Sequence, residues 1–137
     1  MTENQQEIAS IIVGNEDITD KLYEMREKTT HTNITMILDF FIETLEVLKE
    51  SLEGEKKMDQ LKEYEDMKIS EHMKTPYPDP ESLQSVLLYT AEIISNEFKR
   101  IGKMDTKNEK IQLYNKNMDN LRKRAEHLYH DLVERYK

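Results

Sequence analysis

Apolar residues recur along two long stretches of the chain at alternating intervals of three and four residues. The first repeat consists of Ile34, Leu38, Phe41, Leu45, Leu48 and Leu52. The second consists of Ile111, Tyr114, Met118, Leu121, Ala125, Leu128 and Leu132. This spacing keeps apolar side chains on one side of a helix that packs against another helix. The pattern therefore predicts an all-α protein with coiled-coil-like packing.

Similar periodicity elsewhere divides the rest of the chain into helical segments. We expect an antiparallel four-helix bundle built from residues 33–53, 55–73, 80–103 and 106–136. Residues 1–32 are expected to form an N-terminal helical arm, and residues 33–137 the bundle itself. The length of 137 residues is sufficient for one hydrophobic core and not for two, so we expect a single domain.

Residues that disfavour helix define the boundaries of these segments. Gly14 and Asn15 both have low helix propensity, so we expect the arm to contain two shorter helices or a kinked one. The three prolines of the chain lie within residues 75–80 and predict an extended linker there. Asp79 is suited to cap a helix that has Pro80 at its first position.

The composition limits the classes of protein to which the chain can belong. It contains no cysteine, which excludes disulfide bonds and thiolate metal ligands. Residues 1–12 lack the positively charged segment of a secretion signal. The most apolar stretch, residues 34–47, is interrupted by Asp39, Glu43 and Glu46, which is not typical of a membrane span. We therefore expect a cytoplasmic protein that does not enter a membrane.

The net charge of −8 is distributed unevenly along the chain. Residues 1–98 carry 9 basic and 22 acidic side chains, whereas residues 99–137 carry 11 basic and 6 acidic ones. In an antiparallel bundle, a basic last helix lies beside acidic helices and compensates their charge. The alternative is a basic surface for an acidic partner, but the acidic chain as a whole makes nucleic acid an unexpected ligand.

Cofactor and metal sites are not indicated by the sequence. Gly14, Gly54 and Gly102 are too far apart to form a phosphate-binding loop. A di-metal carboxylate bundle requires Glu-x-x-His motifs, and no histidine near the helical segments has a glutamate three residues before it. We therefore predict neither a cofactor nor a bound metal.

Arg122, His127 and Tyr129 have the spacing Arg-x4-His-x-Tyr. This motif resembles the signature of HEPN-type ribonucleases, which are helical bundles that act as dimers. The resemblance implies that the arginine and the histidine converge on RNA at the dimer cleft. There the histidine would transfer protons and the arginine would stabilise the phosphate transition state. The chain departs from the family at the residue after the arginine, which is often polar in that family and is Lys123 here. The alternative interpretation is that the three motif residues belong to a solvent-exposed helix face.

The helix over residues 33–53 carries more apolar residues than one packed face requires. Met36, Phe40 and Val47 form a second stripe at intervals of four and seven residues. A helix that is apolar on two sides either lies centrally in the bundle or contacts a second chain. Tyr77, held between two prolines, is a further candidate contact. These residues predict a protein partner or a homodimer.

The patterns together favour a small intracellular adaptor, regulator or inhibitor that binds protein through its helical-bundle surface. The abundance of Ile, Lys, Asn, Glu and Met is typical of AT-rich genomes, including those of phages and large viruses. Two alternatives remain from the sequence. One is a HEPN-like ribonuclease that uses Arg122 and His127. The other is a structural scaffolding subunit that oligomerises through its helices.

Overall fold

A computed structural model of the protein describes residues 2–53 and 79–136. Within these ranges the secondary structure is entirely α-helical. The four helices are α1 (Glu3–Lys28), α2 (Thr32–Glu53), α3 (Pro80–Gly102) and α4 (Glu109–Arg135). The predicted all-α helical bundle is therefore confirmed. The helix predicted over residues 55–73, most of the predicted linker and Tyr77 lie outside the described residues.

The helix starts follow from capping residues. Asp79 accepts a hydrogen bond from the backbone N–H of Ser82 at 3.2 Å, and Pro80 occupies the first turn, as the sequence predicted. Helix α4 begins at Glu109 rather than at residue 106, because the Asn108 side chain caps it by accepting a hydrogen bond from the backbone N–H of Lys110.

Helix α1 runs without interruption through Gly14 and Asn15. Of the two predicted alternatives, two shorter helices or a kinked one, the break into two helices is wrong. The physical reason is a tertiary contact. Asn15 is buried, and its amide nitrogen donates a hydrogen bond to the backbone carbonyl of Leu45 in α2 at 2.9 Å. Such contacts outweigh the modest helix propensity of single residues. The inner face of α1 belongs to the same hydrophobic core as the other three helices.

The directions of the helices follow from contacts near their ends. Helices α1 and α2 form one antiparallel hairpin through a short connection, and α3 and α4 form the other. Arg100 near the end of α3 contacts Ser10 near the start of α1, so these two helices are also antiparallel. At the other end of the bundle, His31 before α2 contacts Asp79 before α3. Helices α2 and α3 therefore run in the same direction, and Glu53 and Asp79 lie towards opposite ends of the bundle.

Both predicted heptad repeats belong to the hydrophobic core. Every residue of both repeats is buried. Helix α2 also buries residues outside its repeat, namely Ile37, Phe40, Ile42 and Thr44. A helix buried over so wide a face occupies a central position in the bundle. The packed neighbours of α2 among the described helices are α1 and α4.

Candidate functional site

An open cleft of about 590 Å³ lies at the end of the bundle where α1 ends and α3 begins. Its apolar lining consists of Met25 from α1, Ile34 from α2 and Val86 from α3. Its polar lining includes Lys28, Thr29, Thr30, His31, Asp79, Glu81, Ser82 and Ser85. We call this surface the end cleft. It combines residues of three helices and of the α1–α2 connection, which lie far apart in the sequence.

Three polar side chains, those of His31, Asp79 and Ser82, fix one wall of the end cleft. The Ser82 hydroxyl and its backbone N–H both donate hydrogen bonds to the Asp79 carboxylate. These bonds, together with the nearby His31, lower the pKa of Asp79. The His31 imidazole nitrogen Nε2 lies 3.7 Å from the carboxylate oxygen of Asp79, so a charged His31 forms an ion pair with it. The α1–α2 connection is thereby joined to the start of α3.

A second polar cluster lies inside the bundle. The Asn15 amide nitrogen donates to the carbonyl of Leu45 at 2.9 Å and to the Tyr114 hydroxyl at 3.0 Å. Asn15 and Tyr114 are each only 1% exposed. Burial is the main reason that the pKa of Tyr114 rises to about 12. The hydrogen bond between Asn15 and Tyr114 joins α1 to α4 across the interior.

The same cluster continues between α1 and α3. The carboxylate of Glu97 is buried and paired with the Arg100 guanidinium. Arg100 also donates to the Ser10 hydroxyl at 2.9 Å and to its backbone carbonyl at 3.2 Å. A Cβ at Gly14 would overlap the Glu97 carboxylate, so the missing side chain of Gly14 makes this approach possible. We call Ser10, Gly14, Asn15, Glu97, Arg100 and Tyr114 the polar layer.

The sequence predicted neither the end cleft nor the polar layer. By sequence, Asn15 is a residue of low helix propensity and Tyr114 is an apolar member of a heptad repeat. The contact between them joins residues 99 positions apart, and no local pattern indicates it. An asparagine within a predicted amphipathic helix was the available signal, because polar residues on a core face need partners.

The residues predicted to bind a partner do not form one exposed stripe. Phe40 is only 5% exposed, and its ring packs edge-on against that of Phe41. Phe40 is therefore buried within the bundle, which is one of the two alternatives that the sequence left open for this stripe. Met36 is 39% exposed and Val47 is half-buried. That Met36 and Val47 contact a partner stays a prediction, and so does the role of Tyr77.

Arg122 and His127 of the ribonuclease-like motif point in different directions. Arg122 donates hydrogen bonds to Asp119 at 2.6 Å and to Glu126 at 3.0 Å, and the bond to Asp119 is the main cause of its raised pKa. The His127 side chain is 69% exposed and lies 3.4 Å from Asp131. Positions five apart on a helix differ in direction by about 140°. Within one chain, Arg122 and His127 therefore do not converge.

Part of the basic charge of α4 is paired within the helix itself. The ion pairs of Arg122 are made with Asp119 and Glu126, and Lys123 pairs with Asp119 at 3.0 Å. These partners all belong to α4. These pairs join residues three or four positions apart on one helix. Compensation of the remaining basic charge by neighbouring acidic helices stays a prediction.

Among residues 2–53 and 79–136, no group of three or more His, Asp or Glu side chains is arranged to hold a metal ion. None of the helices described is both long and apolar enough to cross a membrane. No protein-family model, curated protein sequence or solved structure matches the chain.

Proposed function

We propose that the chain is a small protein-binding adaptor, regulator or inhibitor that acts through the surface of its helical bundle. The end cleft is the observation that carries this proposal. Concave surfaces with an apolar lining and a few fixed polar groups are the usual places where proteins bind other molecules. In the end cleft, Met25, Ile34 and Val86 supply the apolar lining, and Lys28 and the His31–Asp79 pair supply polar groups.

The lining indicates what kind of segment would bind. A peptide segment of a partner protein would place an apolar side chain against Met25 and Val86, which are both partly buried and pack on the core. Its backbone or polar side chains would bond to the surrounding groups, including Lys28 and Ser82. Because the cleft is built from helix ends tied by hydrogen bonds, little ordering of the bundle would accompany binding, which favours affinity.

Affinity capture from the native cell with matched variants tests the proposal. Ser85 is exposed and lines the end cleft, so Ser85→Arg fills the cleft without changing the core. Asn96 is exposed on the same side of α3, about three turns away, so Asn96→Arg is the control. We expect a partner that is retained by the original chain and by Asn96→Arg and is lost with Ser85→Arg. Equal capture by all three proteins would contradict a role for the end cleft.

A further inference from the structure

We propose that the polar layer sets the register of the α1–α2 hairpin against the α3–α4 hairpin. The contacts between the hairpins in this layer are specific in position. Asn15 of α1 bonds to Tyr114 of α4, and Arg100 of α3 bonds to Ser10 of α1. Each of these contacts exists in one alignment of the two hairpins only.

The apolar repeats do not select that alignment by themselves. In α4 the buried positions are occupied by apolar residues over the whole repeat, from Ile111 to Leu132. A slide of one heptad would again place apolar side chains opposite apolar side chains. Buried polar residues are the best-attested device by which helical assemblies exclude such shifted alignments, because an unpaired polar group in the core is unfavourable.

Gly14 restricts the alignment of the two hairpins further. It is the only glycine in α1, and it provides the space that the Glu97 carboxylate occupies. In an alignment shifted by seven residues, Glu97 would meet Glu7 or Lys21, which both carry side chains. Asn15 would meet Leu121 or Lys107 instead of Tyr114. The native alignment therefore keeps the hydrogen bonds from Asn15 to Tyr114 and from Arg100 to Ser10, and the shifted alignments keep neither.

Distances between spin labels measure the register directly. The labels can be attached at chosen positions only, because the chain contains no cysteine of its own. Labels on Val13→Cys in α1 and Leu88→Cys in α3 use exposed positions, 57% and 49% accessible. With the polar layer intact, we expect one narrow distance distribution. A slide of one heptad moves the labels by about 10 Å along the bundle axis, so a second alignment is visible as a second distance.

Two variants each disrupt a different part of the polar layer. Asn15→Leu combined with Tyr114→Phe replaces the buried hydrogen bond by apolar contact. Gly14→Ala places a methyl group where Glu97 lies. We expect each to keep its helix content and to show at least one additional label distance.

Ile18→Leu combined with Tyr129→Phe is the matched control, because it makes similar changes without touching the layer. We expect this control to keep the single distance. If the first variant does not fold, Gly14→Ala decides the question, since it adds only one methyl group. A single native distance in the folded variants would overturn the proposal.

Discussion

The buried side chain of Tyr114 makes the stability of the protein depend on pH. Its pKa lies near 12, above the usual value of 10, because burial disfavours the phenolate. A group whose pKa is raised by folding stabilises the folded state below its unfolded pKa. That contribution is lost as the pH rises from about 10 towards 12, and two pKa units correspond to about 3 kcal/mol.

We therefore predict that Tyr114→Phe weakens the alkaline pH dependence of stability. The free energy of unfolding is measured in urea at a series of pH values from pH 8 upwards, and the variant is compared with the original chain at each pH. Tyr89→Phe, at a position 38% exposed, is the control and should follow the original chain. An unchanged pH dependence in Tyr114→Phe would show that other groups dominate the alkaline response.

The ribonuclease-like motif also gives a prediction for single residues. Because Arg122 is paired with Asp119 and Glu126 and His127 points away from it, we expect no RNA cleavage that depends on His127. Labelled RNA incubated with purified protein and with His127→Ala tests this, and the exposed His130→Ala is the control. Cleavage that His127→Ala alone abolishes, with the helical spectrum intact, would support the HEPN-like alternative, since general acid–base catalysis contributes about 10²- to 10⁴-fold.

Among the helices, α2 and α4 could be predicted from the sequence because their stability comes from regular apolar positions. The capping of α3 could be predicted as well, since it depends on neighbouring residues. The continuity of α1 and the burial of Phe40 could not, because both depend on contacts between distant segments. The end cleft could not be predicted for the same reason. Its lining comes from three helices whose relative directions no local pattern defines.

The heptad positions of α2 and α4 should dominate the stability of the bundle. Leu45 and Leu121 are 0% and 3% exposed. Leu45→Ala and Leu121→Ala should each lower the free energy of unfolding by about 2–5 kcal/mol, because each leaves a cavity. Chemical unfolding followed by circular dichroism measures the loss. Leu113→Ala, at a position 53% exposed on α4, should change stability much less, and a similar loss there would contradict the assignment of the core.

The width of the buried face of α2 gives a second prediction for this helix. Phe40→Glu places a carboxylate in the core without a partner, which is strongly unfavourable. We expect this variant to lose its helical structure. Met36→Glu, on the exposed side of the same helix, should remain folded. A folded Phe40→Glu variant with a smaller mass in light scattering would instead place Phe40 in an interface between chains.

The arrangement of the whole molecule can be tested through the ends of α2 and α3. Because these helices run in the same direction, spin labels at the exposed Glu53→Cys and Glu81→Cys should lie on the order of 30 Å apart, about the length of a 22-residue helix. Labels at Thr30→Cys and Glu81→Cys, which both line the end cleft, should be close together. A short distance for the first pair would indicate that α2 and α3 are antiparallel.

The hydrogen bond between Asn15 and Tyr114 has a consequence for the time course of folding. It joins positions 99 residues apart, whereas each hairpin closes over a short connection. Local contacts form quickly, and contacts that close long loops form slowly because of the chain entropy that must be lost first. The two hairpins should therefore exist before this bond does. Substitutions at Asn15 should then act mainly on how fast the native bundle comes apart, and hardly on how fast its hairpins assemble.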